Sequence, residues 1–227
     1  MSASGASRDE RVGHPRAVNA SRVLRRAQVV AWVLVLLALP VAWWLRVHAR
    51  PPAPVLGALP ELQLTDDRGR PFTLASLRGR VWVADFIFTS CPSSCPRLTA
   101  YLRRVQDRTR RHGDAVGLVS FSVDPEVDTP ERLRGYAARH GADPARWRFV
   151  TGDLGMMQRT VVHGFKIHME AAPHPSQRTQ PLGIMDIAHG NQLVLLDRHA
   201  RLRGYFHADD GELDALLGAV QDLTREP

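Results

Sequence analysis

The sequence predicts an α/β domain carried behind a single membrane-spanning helix, and three observations predict it. Residues 27–45, "AQVVAWVLVLLALPVAWWL", run for 19 positions without a charge, about the length that crosses a bilayer core as a helix. Two later runs, "VWVADFIFT" and "VGLVSFSVD", are almost continuously apolar and rich in β-branched and aromatic residues, the pattern of strands buried on both faces. The segments between and after them repeat apolar residues at helical spacing, so strands alternate with helices and the central sheet is expected to be mostly parallel, with an antiparallel pair at its end.

The elements follow in order. Residues 1–26 form a basic tail; Arg22, Arg25 and Arg26 crowd the edge of the apolar run and no A-x-A cleavage site follows it. The positive-inside rule then keeps the N-terminus in the cytoplasm and makes the run an uncleaved signal anchor. Trp43 and Trp44 stand where an aromatic belt would lie. Everything beyond is expected on the far side of a bacterial inner membrane, in the periplasm, where disulfides are permitted. Residues 46–60, with "PPAPVLGALP", read as a proline-rich spacer, and 61–227 as the folded domain.

Within that domain, "ELQLTDDRGRPFTL" is an extended stretch that turns at Asp67 to Gly69 and returns. After the first buried strand, Leu98, Tyr101, Leu102 and Val105 mark a helix from Pro96 to about His112, ended by Gly113. After the second, Thr129 or Asp128 caps a helix whose first turn holds Pro130 and Glu131. "RWRFVTG" is a third strand and "LGMMQRTVVHG" a short helix. Residues 164–183 read as an irregular excursion. "NQLVLLD" and "LRGYFH" are two strands joined at Arg198 to Arg201, and "DDGELDALLGAVQDLTRE" closes the chain as an amphipathic helix.

Charge narrows the function. The formal surplus of +7 is concentrated before residue 51, where eight arginines face only Asp9 and Glu10; the remainder is close to neutral. No basic stripe for nucleic acid is left.

The chain has 2 cysteines, both in "TSCPSSCP". Cys91 falls at the end of a buried strand and Cys95 at the start of the next helix, the crevice where sites collect in open α/β sheets. A helix N-terminus favours thiolate, the form that binds metal or attacks a disulfide. Three readings stay open: a structural disulfide, a redox couple that cycles, and a pair of metal ligands. The tiny loop weakens the first, since a crosslink stabilises less as its loop shortens. Two thiolates call for further ligands, and imidazole beside soft sulfur suits copper. His189, in "DIAHGNQLVLLD", stands just before a strand that could return to the sheet edge. His163, His168 and His174 lie in or beside the excursion, and His112, His140, His199 and His207 at helix ends or turns. Met156 and Met157 read as core packing.

The chain resembles the SCO/SenC family of membrane-anchored copper proteins with a thioredoxin-like fold. The likeness covers roughly residues 60–223 and rests on ordered motifs. "FIFTSCPSSCP" resembles F-x-[FY]-T-x-C-P-x-x-C-P; "FSVDPEVDTPERLRGYA" resembles S-[IV]-D-P-x-x-D-T-P-x-x-L-x-x-Y; "DIAHGNQLVLLDRHARLRGYF" resembles the V-D-H-[ST] segment and the hairpin after it. Asp186 lies three residues before the histidine instead of beside it, and Gly190 replaces the usual Ser or Thr. The resemblance implies copper, as Cu(I) or Cu(II), held by Cys91, Cys95 and His189. It implies delivery of copper to, or preparation of the thiols of, the dinuclear copper site of cytochrome c oxidase. The implied partners are the oxidase subunit bearing that site or another periplasmic copper chaperone. A thiol–disulfide oxidoreductase using Cys91 and Cys95 without metal is the alternative. Asp124 reads as a strand-end residue near the site with a structural role.

Overall fold

A computed structural model of the chain describes residues 18–48, 53–91, 94–167 and 191–226, in two units. The first contains one helix, α1 (Val18–His48). Its stretch Leu24–Trp43 is long and apolar enough to cross a membrane; at 1.5 Å per residue it is about 30 Å long, the thickness of a bilayer's hydrocarbon core.

The second unit is built on an eight-stranded sheet in the order β1-β8-β7-β4-β5-β6-β2-β3. Its centre is β4 (Val81–Ile87), β5 (Val116–Ser122) and β6 (Trp147–Thr151), paired in parallel. All seven residues of β4 and all seven of β5 are buried, because helices cover both faces of the sheet. The expected parallel centre is these three strands and the expected antiparallel pair at the end is β7 with β8; the sheet goes further by pairing antiparallel at both of its junctions with that centre. There β7 (Gln192–Leu196) lies antiparallel to β4 and β8 (Arg201–His207) to β7. On the other side β2 (Gln63–Asp66) is antiparallel to β6 and hairpins onto β3 (Pro71–Thr73). The connections within β2–β3 and within β7–β8 are too short to cross over, so each reverses the chain and forces antiparallel pairing inside its own hairpin. Gly69 takes φ 77° in the first of them, a left-handed geometry that suits glycine.

Alternation along β4 sends its side chains to two cores. Val81, Val83 and Ile87 meet α2 (Ser94–Arg108), α3 (Pro130–Arg139) and α5 (Leu213–Arg225). Trp82, Ala84 and Phe86 face the opposite core, where Phe121 and Phe165 pack on Phe86 with ring centres 5.0–6.0 Å apart. Met157, of the short α4 (Leu154–Gln158), is buried in that core as the sequence suggested. Each large side chain so buried stabilises the fold by roughly 1.5–3 kcal/mol. Gly117 is required on this face: a Cβ there would come within 2.5 Å of the Trp82 ring.

The folded unit begins before residue 61. The spacer's β1 (Gly57–Ala58) pairs with β8, Leu59 is buried, and Arg203 donates from Nη2 to the Ala53 carbonyl at 2.6 Å. Arg203 is itself held by Asp197 at 2.9 Å and Glu226 at 2.7 Å. This buried staple ties residue 53 to the end of α5.

Candidate metal and redox centre

Cys91 and Cys95 sit at the turn from β4 into α2, both as thiols and both buried. The turn is short: the Cys91 amide donates to the Phe88 carbonyl at 3.2 Å. Cys95 is the second residue of α2, so its amide is one of the helix's unpaired N-terminal donors. That amide donates to Cys91 Sγ at 3.4 Å, which holds the two residues together. Cys91 keeps 9% of its surface and Cys95 1%, so a ligand or attacking group approaches from the Cys91 side.

The expectation that the helix N-terminus favours thiolate fails for Cys95. Burial pushes its thiol up to about 12, and the neighbouring Cys91 and Asp85 add to the rise, against a backbone hydrogen bond from Phe88. In a site this dry the desolvation of the anion outweighs the helix-end dipole. Below Cys95, Thr99 Oγ1 donates to the Cys95 carbonyl at 2.8 Å and lies 2.8 Å from Tyr136 Oη. The Tyr136 hydroxyl is pushed up to about 12, first by burial.

Two further groups shape the turn, and the sequence reading missed what they do. Asp128 is fully buried and clasps the turn. Its Oδ2 accepts from the Thr89 amide at 3.0 Å and from Ser122 Oγ at 2.7 Å, and its Oδ1 accepts from Thr89 Oγ1. Arg132 closes the clasp, donating from Nε to Thr89 Oγ1 at 2.7 Å. Asp128 therefore does not cap α3; Thr129 does, accepting from the Arg132 amide at 3.3 Å. Asp124, at the end of β5, is only half-buried, and its carboxyl is raised by burial and by Asp128 and Glu126. The spacing of Ser122, Asp128 and Thr129 carried this signal, but its partner Thr89 is 39 residues away.

The second group is Asp85 in β4, six residues before Cys91 and on the face that carries the cysteines. It is fully buried, and neither carboxylate oxygen has a hydrogen-bond partner among the described residues. Burial raises it to about 7; the nearby Ser120 hydroxyl, which accepts from Trp147 Nε1 at 2.9 Å, pulls the other way.

His189, the expected third ligand, lies outside the described residues, as do His168 and His174. His163 falls in the π-helical turn Arg159–Gly164, His140 at the end of α3, His112 in the turn after α2, and His207 beside Glu212. Among the described residues no group of three or more His, Cys, Asp or Glu side chains is placed to hold a metal. Two soft sulfurs from residues held in contact, reachable from one side, do fit a thiophilic ion completed by a further ligand.

A sheet with a parallel centre, helices on both faces and a cysteine pair at the first strand-to-helix turn defines a thioredoxin-like α/β protein. The comparison with known proteins makes this specific: the SCO1/SenC family matches residues 57–225, and the chain belongs to that family. The SCO1 protein homolog of Bacillus subtilis is 43% identical over 158 residues, covering 69% of this chain and 77% of that protein. The solved structure of BsSco, a member of the Sco family of cytochrome c oxidase assembly proteins in which a disulfide switch was identified, superposes with TM-score 0.63. It is 25% identical and covers 77% of this chain and 98% of its own. Copper-bound ScoI of Bradyrhizobium japonicum superposes with TM-score 0.58 at 23% identity, covering 73% of this chain and 99% of its own, which shows the shared fold.

Proposed function

We propose that this protein binds copper as cargo through Cys91, Cys95 and His189 and passes it to, or prepares the thiols of, the dinuclear copper site of cytochrome c oxidase. The observation that carries the reading is the pairing of Cys91 and Cys95 at the β4–α2 turn in a chain of the SCO1/SenC family. The partner is the oxidase subunit that bears the site or another copper chaperone. Residues 1–26 remain in the cytoplasm, 27–45 span the inner membrane, and the folded domain faces the periplasm. The six arginines before the span and the apolar length of α1 support that orientation. Reduced full-length protein in nonionic detergent should take up one copper per chain. Removing either cysteine should abolish tight binding, and His189→Ala should weaken it and shift the metal's absorption while the fold survives. A His189→Ala protein that binds copper like the parent would remove His189 from the site.

The unequal exposure of the two sulfurs favours a second use of the same pair. In a dithiol reductase, the Cys91 thiolate would attack a partner disulfide and form a mixed disulfide, releasing one partner thiol. Cys95, having lost its proton, would then displace the second partner thiol and close a Cys91–Cys95 bond. Two electrons pass to the partner, and the oxidised pair can no longer hold copper, so redox state gates loading. Alkylation kinetics separate the sulfurs: Cys91 should react at least tenfold faster than Cys95 near neutral pH. Equal rates would remove the division of roles.

A further inference from the structure

At the far end of β4, roughly 17 Å along the strand from the cysteine turn, a cavity of about 330 Å³ opens between β3, β6 and the turn after β2. Its polar lining is almost entirely donor. Three arginines, Arg70, Arg80 and Arg148, line it with Ser76 and Trp82. Trp82 is 3% exposed and its Nε1 has no hydrogen-bond partner among the described residues, which is costly for a buried donor. Ser76 Oγ accepts from the Thr73 amide at 3.1 Å, leaving its own proton to give.

One carboxylate, Asp66, faces this lining, and its acceptor positions are taken. Oδ1 accepts from the Arg68 and Arg70 amides, each at 2.9 Å, and Oδ2 from Arg70 Nε and Nη2 at 3.0 and 2.8 Å. Arg70 is thereby neutralised. Arg80 has a long 3.7 Å contact with exposed Asp114. Arg148 has no carboxylate within ion-pair distance among the described residues; its Nη1 donates to the Pro144 carbonyl at 2.8 Å, where Arg68 Nη2 also donates at 2.7 Å. Two guanidiniums thus share one neutral acceptor. The strain on Arg148 shows in its proton affinity, which is lowered by burial and then by Arg68 and Arg70.

We propose that this cavity is a binding site for a phosphate dianion, free or as a phosphomonoester, held by Arg148 and Arg80. A phosphomonoester dianion is acceptor-only and free hydrogen phosphate keeps a single hydroxyl donor, so both match a lining of donors, and the charge offsets the surplus left after Arg70 is paired. Planar guanidinium forks match phosphate oxygens two at a time. Trp82 and Phe72, both buried, line the cavity beside the arginines and lower the local dielectric. The site shares no residue with the cysteine turn, so it stands whether or not that turn carries copper.

Isothermal titration of the full-length chain in nonionic detergent, at constant ionic strength, tests the site. The probes are inorganic phosphate, phenyl phosphate, and dihexanoyl phosphatidate added to the micelles. Saturable binding at one site per chain is expected. Arg148→Gln should weaken it at least tenfold and Arg80→Gln several-fold. Arg104→Gln, on the outer face of α2, should leave it unchanged. Binding by phosphate or phenyl phosphate assigns a soluble ligand; binding by phosphatidate alone assigns a lipid headgroup; both support the site. Saturable binding by none of the three overturns the proposal. So does equal weakening by Arg148→Gln and Arg104→Gln, which would mean diffuse attraction. If Arg148→Gln does not fold, Arg80→Gln decides by the same comparison.

Discussion

Two aspartates near the cysteine turn are both fully buried and live in opposite ways. Asp128 is surrounded by donors: the Thr89 amide, the Thr89 and Ser122 hydroxyls, and Arg132 behind them. Asp85, in the strand that leads into the same turn, has no hydrogen-bond partner among the described residues and is raised to about 7. Burial alone therefore does not set what a carboxyl does. Burial with donors turns it into a mechanical clasp that fixes where Cys91 sits. Burial with too few of them leaves a group whose charge the fold resists, and whose proton is held into the neutral range.

The comparison can be broken first at the clasp. Asp128→Ala would orphan the Thr89 amide and the Thr89 and Ser122 hydroxyls together. At about 1–3 kcal/mol for each buried donor left without an acceptor, partly relieved by relaxation, the expected loss is about 5 kcal/mol. Chemical denaturation would read it, and a loss below about 1 kcal/mol would show that Asp128 does not hold the turn.

Asp85 should give the next largest effect, and only above acidic pH. Its ordinary value is 3.8 and its folded value about 7, so the folded state keeps a proton that the unfolded state releases. Stability should therefore fall as pH rises from about 4 to about 7 and level off above. The total is on the order of 4 kcal/mol. Asp85→Asn should flatten that slope and be more stable than the parent at pH 8. A parent whose stability does not change between pH 4 and 8 beyond what Asp85→Asn shows would mean that the carboxyl is ionised throughout.

The smallest effect sharpens the clasp. Thr89→Val keeps the shape but removes the hydroxyl that links Asp128 to Arg132. A loss of about 1–2 kcal/mol is expected, with Thr89→Ser close to the parent. Indistinguishable stability of Thr89→Val and the parent would confine the clasp to the backbone amide.

Much of this was open to reading along the chain. Continuous apolar runs mark β4 and β5 because a strand covered on both faces has no polar side to show. Thr129 and Pro130 mark the start of α3, because a cap and a fixed φ act over neighbouring residues. The cysteine pair at the β4–α2 turn was legible for the same reason: strand end, turn and helix start are all local. The flanks of the sheet were less so, since "RWRFVTG" looks the same whether its neighbour runs parallel or antiparallel.

By itself the sequence determined the elements, the apolar helix ahead of the domain, the family motifs and the position of the two sulfurs. Only the tertiary structure decided that the spacer joins the sheet edge, that Asp128 reaches Thr89, that Asp85 is buried with far less support from donors, and that Cys95 is too dry for an easy thiolate. The physical reason is common to all four. Propensity, capping and periodicity act over a few residues, whereas desolvation and hydrogen-bond supply depend on what the fold brings from far along the chain. The arginine cavity makes the same point: Arg70, Arg80 and Arg148 are unremarked charges in the sequence and become a site only when β3, β4 and β6 draw them around Trp82.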